Sequence, residues 1–189
     1  MECEAMKSTL VLMALVALGF AVGYLMPTNY LYLFILVNEA VLKYGLYYQL
    51  FTAVLITPSL TDFLFNEASL AVIYGFFRSE GGWKELPVFF ISGVLGNLFT
   101  VAFLPPYTAS SGASGGVIGL LAYYLARDAV LRGGSVRDLY VAIAFLGFVI
   151  TFSASFPNVN NVAHIGGAVA GLALGVMDSM LYKRSKGSS

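Results

Sequence analysis

Long apolar runs, each broken by a short cluster of polar or turn-forming residues, set the rhythm of this chain from one end to the other. The first run, 9–26, is apolar throughout and approaches the roughly 20 residues an α-helix needs to cross a bilayer. Five further runs predict helices over about 59–77, 86–104, 114–131, 139–156 and 162–182. The charged turn RSEGGWKE precedes the third of these six helices, Pro105 and Pro106 end it, and the polar loop PNVNN feeds the last. The stretch 27–58 has another texture. There Asn29, Asn38, Glu39, Lys43, Tyr47, Tyr48 and Gln49 interrupt aromatic and aliphatic residues, which predicts an interfacial loop whose tyrosines keep their hydroxyls wet at headgroup level. With no internal repeat and no linker, the pattern predicts one domain over 1–189, an all-α integral membrane protein with six transmembrane helices.

Composition fixes the solvent and removes several functions. Of 189 residues, 59% are hydrophobic and 11% charged, and the mean hydropathy of +0.83 lies outside the range of a soluble domain. A formal net charge of zero leaves no basic face for nucleic acid. The single cysteine, Cys3, excludes an internal disulfide and reads as a tail residue, and one histidine leaves too few ligands for a zinc site. Neither a metal nor a cofactor is expected. The flank MECEAMK is not distinctly basic and no small-x-small cleavage pattern follows the first run, so that run is expected to stay as an anchor.

Charge then orients the helices. Lys7, Arg78, Lys84, Arg127, Arg132, Arg137, Lys183, Arg184 and Lys186 fall in the amino-terminal tail, the turns after even-numbered helices or the carboxy-terminal tail, with only Lys43 on the other side. The positive-inside rule predicts that this side is the cytoplasm, with both termini inside, in a multi-pass protein of the cell membrane. Even-numbered helices then enter from outside, and Asn66, Ser114 and His164 all lie within their first turns. Polar groups at that depth are costly in hydrocarbon, so they are expected to face protein or a water-filled cavity. Asp62 and Asn66, four apart, share a helix face, whereas Glu67 points elsewhere.

Candidate chemistry follows from that shared level. Ser114 stands in the string Gly112, Ala113, Ser114, Gly115, Gly116 at the mouth of an apolar helix, and His164, the sole histidine, opens another. A serine there also reads as an N-cap for first-turn amides. Beside a histidine at the same depth, it predicts a nucleophile and its base. Gly115 and Gly119, and Gly167, Gly171 and Gly175, form small-residue stripes that let two helix backbones approach and bring the hydroxyl within reach of the imidazole. Ordinary membrane packing uses the same stripes.

The strings GASGG, HIGGAVAG and FLFN ending at Asn66, in that chemistry and spacing, make the chain from about Tyr47 to Leu181 resemble the rhomboid intramembrane serine proteases. The resemblance implies a six-transmembrane-helix rhomboid-like bundle in which Ser114 is the nucleophile and His164 the general base. It implies Asn66 as an oxyanion donor together with the Ser114 amide, and no third acid; Gly112 and Asp62 are further candidates for stabilising the oxyanion or substrate. Family members commonly have histidines where Thr57 and Asp62 stand, a Trp-Arg pair where Tyr48 and Gln49 stand, and an aromatic where Ile118 stands. The implied partners are the lipid bilayer and transmembrane protein substrates, cleaved near the outer face where the loop SFPNVNN admits water. The sequence carries no signal for oligomeric state. Asp62 has two readings: a helix cap pointing into water, or a group turned toward the cavity beside Asn66. Two alternatives of other classes are a catalytically weak or inactive rhomboid-like protein that binds membrane helices, and a small transporter with Asp62 and Glu67 on its path. Against the transporter, the chain has no half-repeat and no paired broken helices.

Overall fold

A computed structural model of the chain describes residues 2–78, 80–132, 136–156 and 159–187. The long helices are α1 (Glu2–Leu25), α5 (Leu60–Phe77), α6 (Glu85–Phe103), α7 (Ser114–Arg132), α8 (Val136–Ser153) and α9 (Asn161–Gly187). Helix α1 begins well before the predicted residue 9, because no helix breaker precedes Thr9, and Pro27 stops it. Helix α8 starts and ends three residues earlier than 139–156, and α9 runs on to Gly187. Ser59 caps α5, its Oγ accepting from the Asp62 amide at 3.3 Å, and Arg78 closes that helix in the left-handed region at φ 46°. A 3-10 turn, Gly82–Lys84, leads into α6.

This is a membrane protein. Among the described residues, three helical segments are long and apolar enough to cross a bilayer by themselves: Ser8–Leu25, Gly82–Phe103 and Asn161–Lys186. Helices α5, α7 and α8 are 18, 19 and 18 residues long; α5 carries Asp62 and Glu67, and α7 Arg127 and Asp128, within their spans.

The stretch 27–58 is not a simple interfacial loop. It folds into α2 (Thr28–Leu31), β1 (Leu36–Val37), α3 (Asn38–Tyr44) and α4 (Gln49–Leu55), and β1 pairs antiparallel with β2 (Ala109–Ser110) in the register Leu36↔Ser110 and Val37↔Ala109. Tyr30, Tyr32, Tyr44, Tyr47 and Tyr48 are exposed, but Asn38 and Gln49 are buried. The reason is backbone satisfaction. Asn38 Nδ2 lies 3.0, 3.1 and 3.1 Å from the carbonyls of Thr100, Leu104 and Pro105, which share its two hydrogens; Thr100 and Pro105 also accept the Leu104 and Thr108 amides. Gln49 accepts from the Val37 amide and donates to the Tyr32 carbonyl, both at 3.0 Å, which ties α4 to β1 and the turn before it.

Helix α7 is the centre of the bundle. Its Val117, Leu120, Tyr123 and Tyr124 are buried with Leu12 and Val16 of α1, Leu70 and Ile73 of α5, and Phe89 of α6. Helix α9 lies along it on a glycine seam: a methyl on Gly167, Gly171 or Gly175 would overlap the carbonyl oxygen of Gly115, Gly119 or Tyr123. A second close crossing joins α9 to α6, where a methyl on Gly166 would stand 2.9 Å from the Gly96 Cα. Glu85, expected in a charged turn, instead starts α6 and is buried, accepting from Ser8 Oγ at 2.7 Å, Thr9 Oγ1 at 2.9 Å and the Tyr124 hydroxyl. Three hydroxyls replace the water such a carboxylate loses, and they fasten α1, α6 and α7 at one end. At that end Asp178 also meets Lys84 at 2.5 Å, Tyr123 at 2.8 Å and Arg127 at 3.2 Å.

Candidate active site

The opposite end gathers the polar residues singled out by chemistry. Entry into α7 is held from two sides. The Gly112 amide donates to the Ala53 carbonyl of α4 at 2.9 Å, and its φ of 127° belongs to the region that favours glycine. A methyl on Gly112 would also stand 2.7 Å from Asp62 Oδ2, so α5 presses its polar face on the turn that delivers Ser114. Entry into α9 is moored by Asn160. Its Oδ1 accepts from the Ala163 amide at 3.1 Å, and its Nδ2 donates to Thr100 Oγ1 and Ser110 Oγ at 2.9 Å each. Both helix starts are thus fixed to their neighbours before any side chain chemistry is considered.

Between these two starts, His164 Nε2 lies 2.8 Å from Ser114 Oγ across fifty residues of sequence. His164 is 4% exposed and Ser114 half-buried. That contact is the hydrogen bond a hydroxyl needs to lose its proton to a neutral imidazole. On the other side of the ring, Nδ1 lies 3.0 Å from Ser153 Oγ at the end of α8. Sequence reasoning missed Ser153. The depth argument covers the starts of the second, fourth and sixth of the six predicted membrane helices, and applied to the ends of the third and fifth it reaches Ser153.

Asn66, on α5, is 3% exposed, and its Nδ2 has no hydrogen-bond partner among the described residues. A buried donor left open is costly. Asp62 is half-buried against Gly112, and the cap of α5 is Ser59. Glu67 is half-buried too, with one carboxylate oxygen unpartnered. Thr57 is buried with its hydroxyl unpartnered, and Ile118 packs with Leu146 of α8 and Ala168 of α9. Pro157 and Asn158, in the loop expected to admit water, and residues 133–135, in the turn after α7, lie outside the described residues.

An apolar groove of about 850 Å³ runs between α5, α7 and α8, lined by Phe65, Val72, Val117, Ile118, Phe145 and Val149 among others. The ring of Phe65 meets that of Phe156 at 5.3 Å across the α5–α8 gap. Among the described residues, no group of three or more His, Cys, Asp or Glu side chains is placed to hold a metal ion.

The chain is similar in sequence to known proteins. Residues 44–181 match the sequence profile of the rhomboid domain. The chain is 29% identical over 133 residues to "Putative rhomboid protease YdcA" of Bacillus subtilis, covering 69% of this chain and 66% of the relative. It is 27% identical over 138 residues to "Rhomboid protease GluP" of the same organism, covering 71% of this chain and 26% of the relative. It is also 34% identical over 97 residues to "Inactive rhomboid protein 1" of Homo sapiens, covering 49% of this chain and 11% of the relative.

Proposed function

The chain belongs to the rhomboid family, and from that premise we propose that it is an intramembrane serine endopeptidase in which Ser114 attacks and His164 serves as base. Ser114 Oγ adds to a peptide carbonyl of a substrate's transmembrane segment while His164 Nε2 takes its proton. The tetrahedral oxygen is received by the Asn66 side chain and the Ser114 amide, each such donor being worth about 3 kcal/mol in the transition state. His164 returns the proton to the leaving amine, and water then hydrolyses the acyl-enzyme by the same steps in reverse. The single observation that carries this reading is the 2.8 Å contact between Ser114 Oγ and His164 Nε2. The open amide of buried Asn66 supports it.

In this reading the whole chain, 1–189, is one domain and all six long helices cross the bilayer, with both termini in the cytoplasm and the serine–histidine pair near the outer face. The glycines Gly115, Gly119, Gly167, Gly171 and Gly175 hold α7 and α9 close enough for the pair to meet. Gly112 and Asp62 shape the turn beside the oxyanion, and the groove between α5, α7 and α8 receives the substrate helix.

A second reading, a rhomboid-like protein that binds membrane helices without cutting them, is favoured by the 34% identity to an inactive relative and by a carboxylate, Asp62, set against Gly112. Purified protein mixed with a model transmembrane substrate in detergent separates the two. Cleavage by the parent, with none by Ser114→Ala or His164→Ala at unchanged melting temperature, is the expected result. Binding without cleavage selects the second reading, and full activity in either variant ends the assignment of the pair.

A further inference from the structure

We propose that Ser153 is a positioning residue that holds His164 in the tautomer with its hydrogen on Nδ1, a role that rests on the serine–histidine reading above. An imidazole can take the Ser114 proton only if Nε2 carries a free lone pair, which requires the ring's single N–H to sit on Nδ1. The other tautomer points an N–H at Ser114 Oγ and has nothing there to accept with. The 2.8 Å contact at Nε2 is compatible with both, so the selection is made on the far side of the ring.

On that side Nδ1 lies 3.0 Å from Ser153 Oγ. A serine hydroxyl has one hydrogen. Two other acceptors compete for it: the Ile150 carbonyl at 2.7 Å and Asn161 Oδ1 at 3.0 Å. Ile150 lies one turn back in the same helix; its carbonyl also accepts from the Ala154 amide at 3.1 Å but has a second lone pair, and a serine commonly bonds back to such a carbonyl. With its hydrogen so engaged, Ser153 presents only lone pairs to His164. The contact is then a hydrogen bond only if Nδ1 is the donor. Donation runs from Ser114 to His164, from His164 to Ser153 and from Ser153 to Ile150, and the Nε2 lone pair faces the nucleophile. When Nε2 takes the serine proton, Nδ1 keeps its hydrogen and the same Ser153 lone pair stabilises the imidazolium.

The titratable groups of the surrounding helices leave this choice to Ser153. Glu85, Arg127 and Asp178 are engaged with one another's neighbours at the opposite end of the bundle, and Asp62 and Glu67 sit on α5, Asp62 against Gly112. None of them is hydrogen-bonded to Nδ1, whose partner among the described residues is the Ser153 hydroxyl.

Because the chain has one histidine, nitrogen-15 histidine labelling of the purified protein in micelles yields a single imidazole whose two nitrogens report where the hydrogen is. In the parent at neutral pH the hydrogen is expected on Nδ1. Ser153→Ala should move it toward Nε2 and lower kcat about tenfold with KM unchanged, the rate equivalent of one neutral hydrogen bond. Ser153→Thr, which keeps the hydroxyl, should keep both the parent spectrum and the parent rate. A parent spectrum with the hydrogen on Nε2, or a Ser153→Ala spectrum identical to the parent's, overturns the proposal. If the parent cleaves nothing, the protease reading falls, while the spectra still decide whether Ser153 sets the tautomer.

Discussion

Gly171→Ala tests the packing that brings the serine and histidine together. A methyl at this position would overlap the Gly119 carbonyl oxygen and stand 2.7 Å from its carbon and 2.9 Å from the Ala122 Cβ. Carbon pairs pack best at about 3.5–4.0 Å, so α9 must retreat from α7 by about 1 Å. Neither neighbour can yield, since one is helix backbone and the other a methyl on a buried alanine. Overpacking of this kind costs about 1–3 kcal/mol, which for a chain of this length is a fall of about 2–12 °C in melting temperature. Activity should fall further than stability, because His164 rides on the same helix two turns away and a displacement of about 1 Å at a reacting pair can cost about a hundredfold in rate. The matched control is Gly147→Ala on α8, where a methyl meets nothing within 4 Å and a helix interior prefers alanine by up to about 1 kcal/mol. Thermal unfolding in one detergent, with turnover of a model transmembrane substrate, reads both effects. A Gly171→Ala protein that melts at or above the parent temperature would refute the seam.

Other perturbations separate catalysis from scaffolding. Asn66→Ala should leave the melting temperature close to the parent's, since its Nδ2 has no partner among the described residues, yet lower kcat about a hundredfold as one oxyanion donor goes; equal kcat removes Asn66 from the oxyanion hole. Asn38→Ala should do the reverse, destabilising by about 1–3 kcal/mol by removing the buried amide that the carbonyls of Thr100, Leu104 and Pro105 share, with kcat per folded molecule little changed. Glu85→Ala leaves Ser8, Thr9 and Tyr124 without their shared acceptor and should lower the melting temperature by several degrees, whereas Glu85→Gln, which keeps acceptor capacity, should lower it less. Cysteine labelling from either side of sealed vesicles should reach both termini only from the cytoplasmic side and residues of α3 only from outside; the opposite pattern would place the serine–histidine pair at the wrong surface.

Membrane class, the helical runs and the chemistry of the candidate pair were legible in the sequence because they rest on local quantities. Hydropathy averaged over about 20 residues, prolines at 27 and 105, and glycines repeating every fourth residue need no knowledge of what lies opposite. The roles of individual polar residues were not legible in this way. Asn38, Gln49 and Glu85 read as solvent-facing residues of a loop or turn, yet all three are buried, because each meets backbone or hydroxyl groups between 12 and 77 residues away in the chain. Ser153 had no mark of its own either. Its proximity to His164 depends on how α8 ends against the start of α9, and a rotation of one residue, about 100° around the helix, would turn the hydroxyl away. The side on which Asp62 falls was likewise open until Ser59 was found capping α5 and Asp62 found against Gly112. For Ser114 and His164 the division is finer. Residue type and depth in the sequence nominated them, but the 2.8 Å between them exists because glycines at 167, 171 and 175 rest on the carbonyls of α7, and that closeness is a property of two backbones crossing rather than of either string alone.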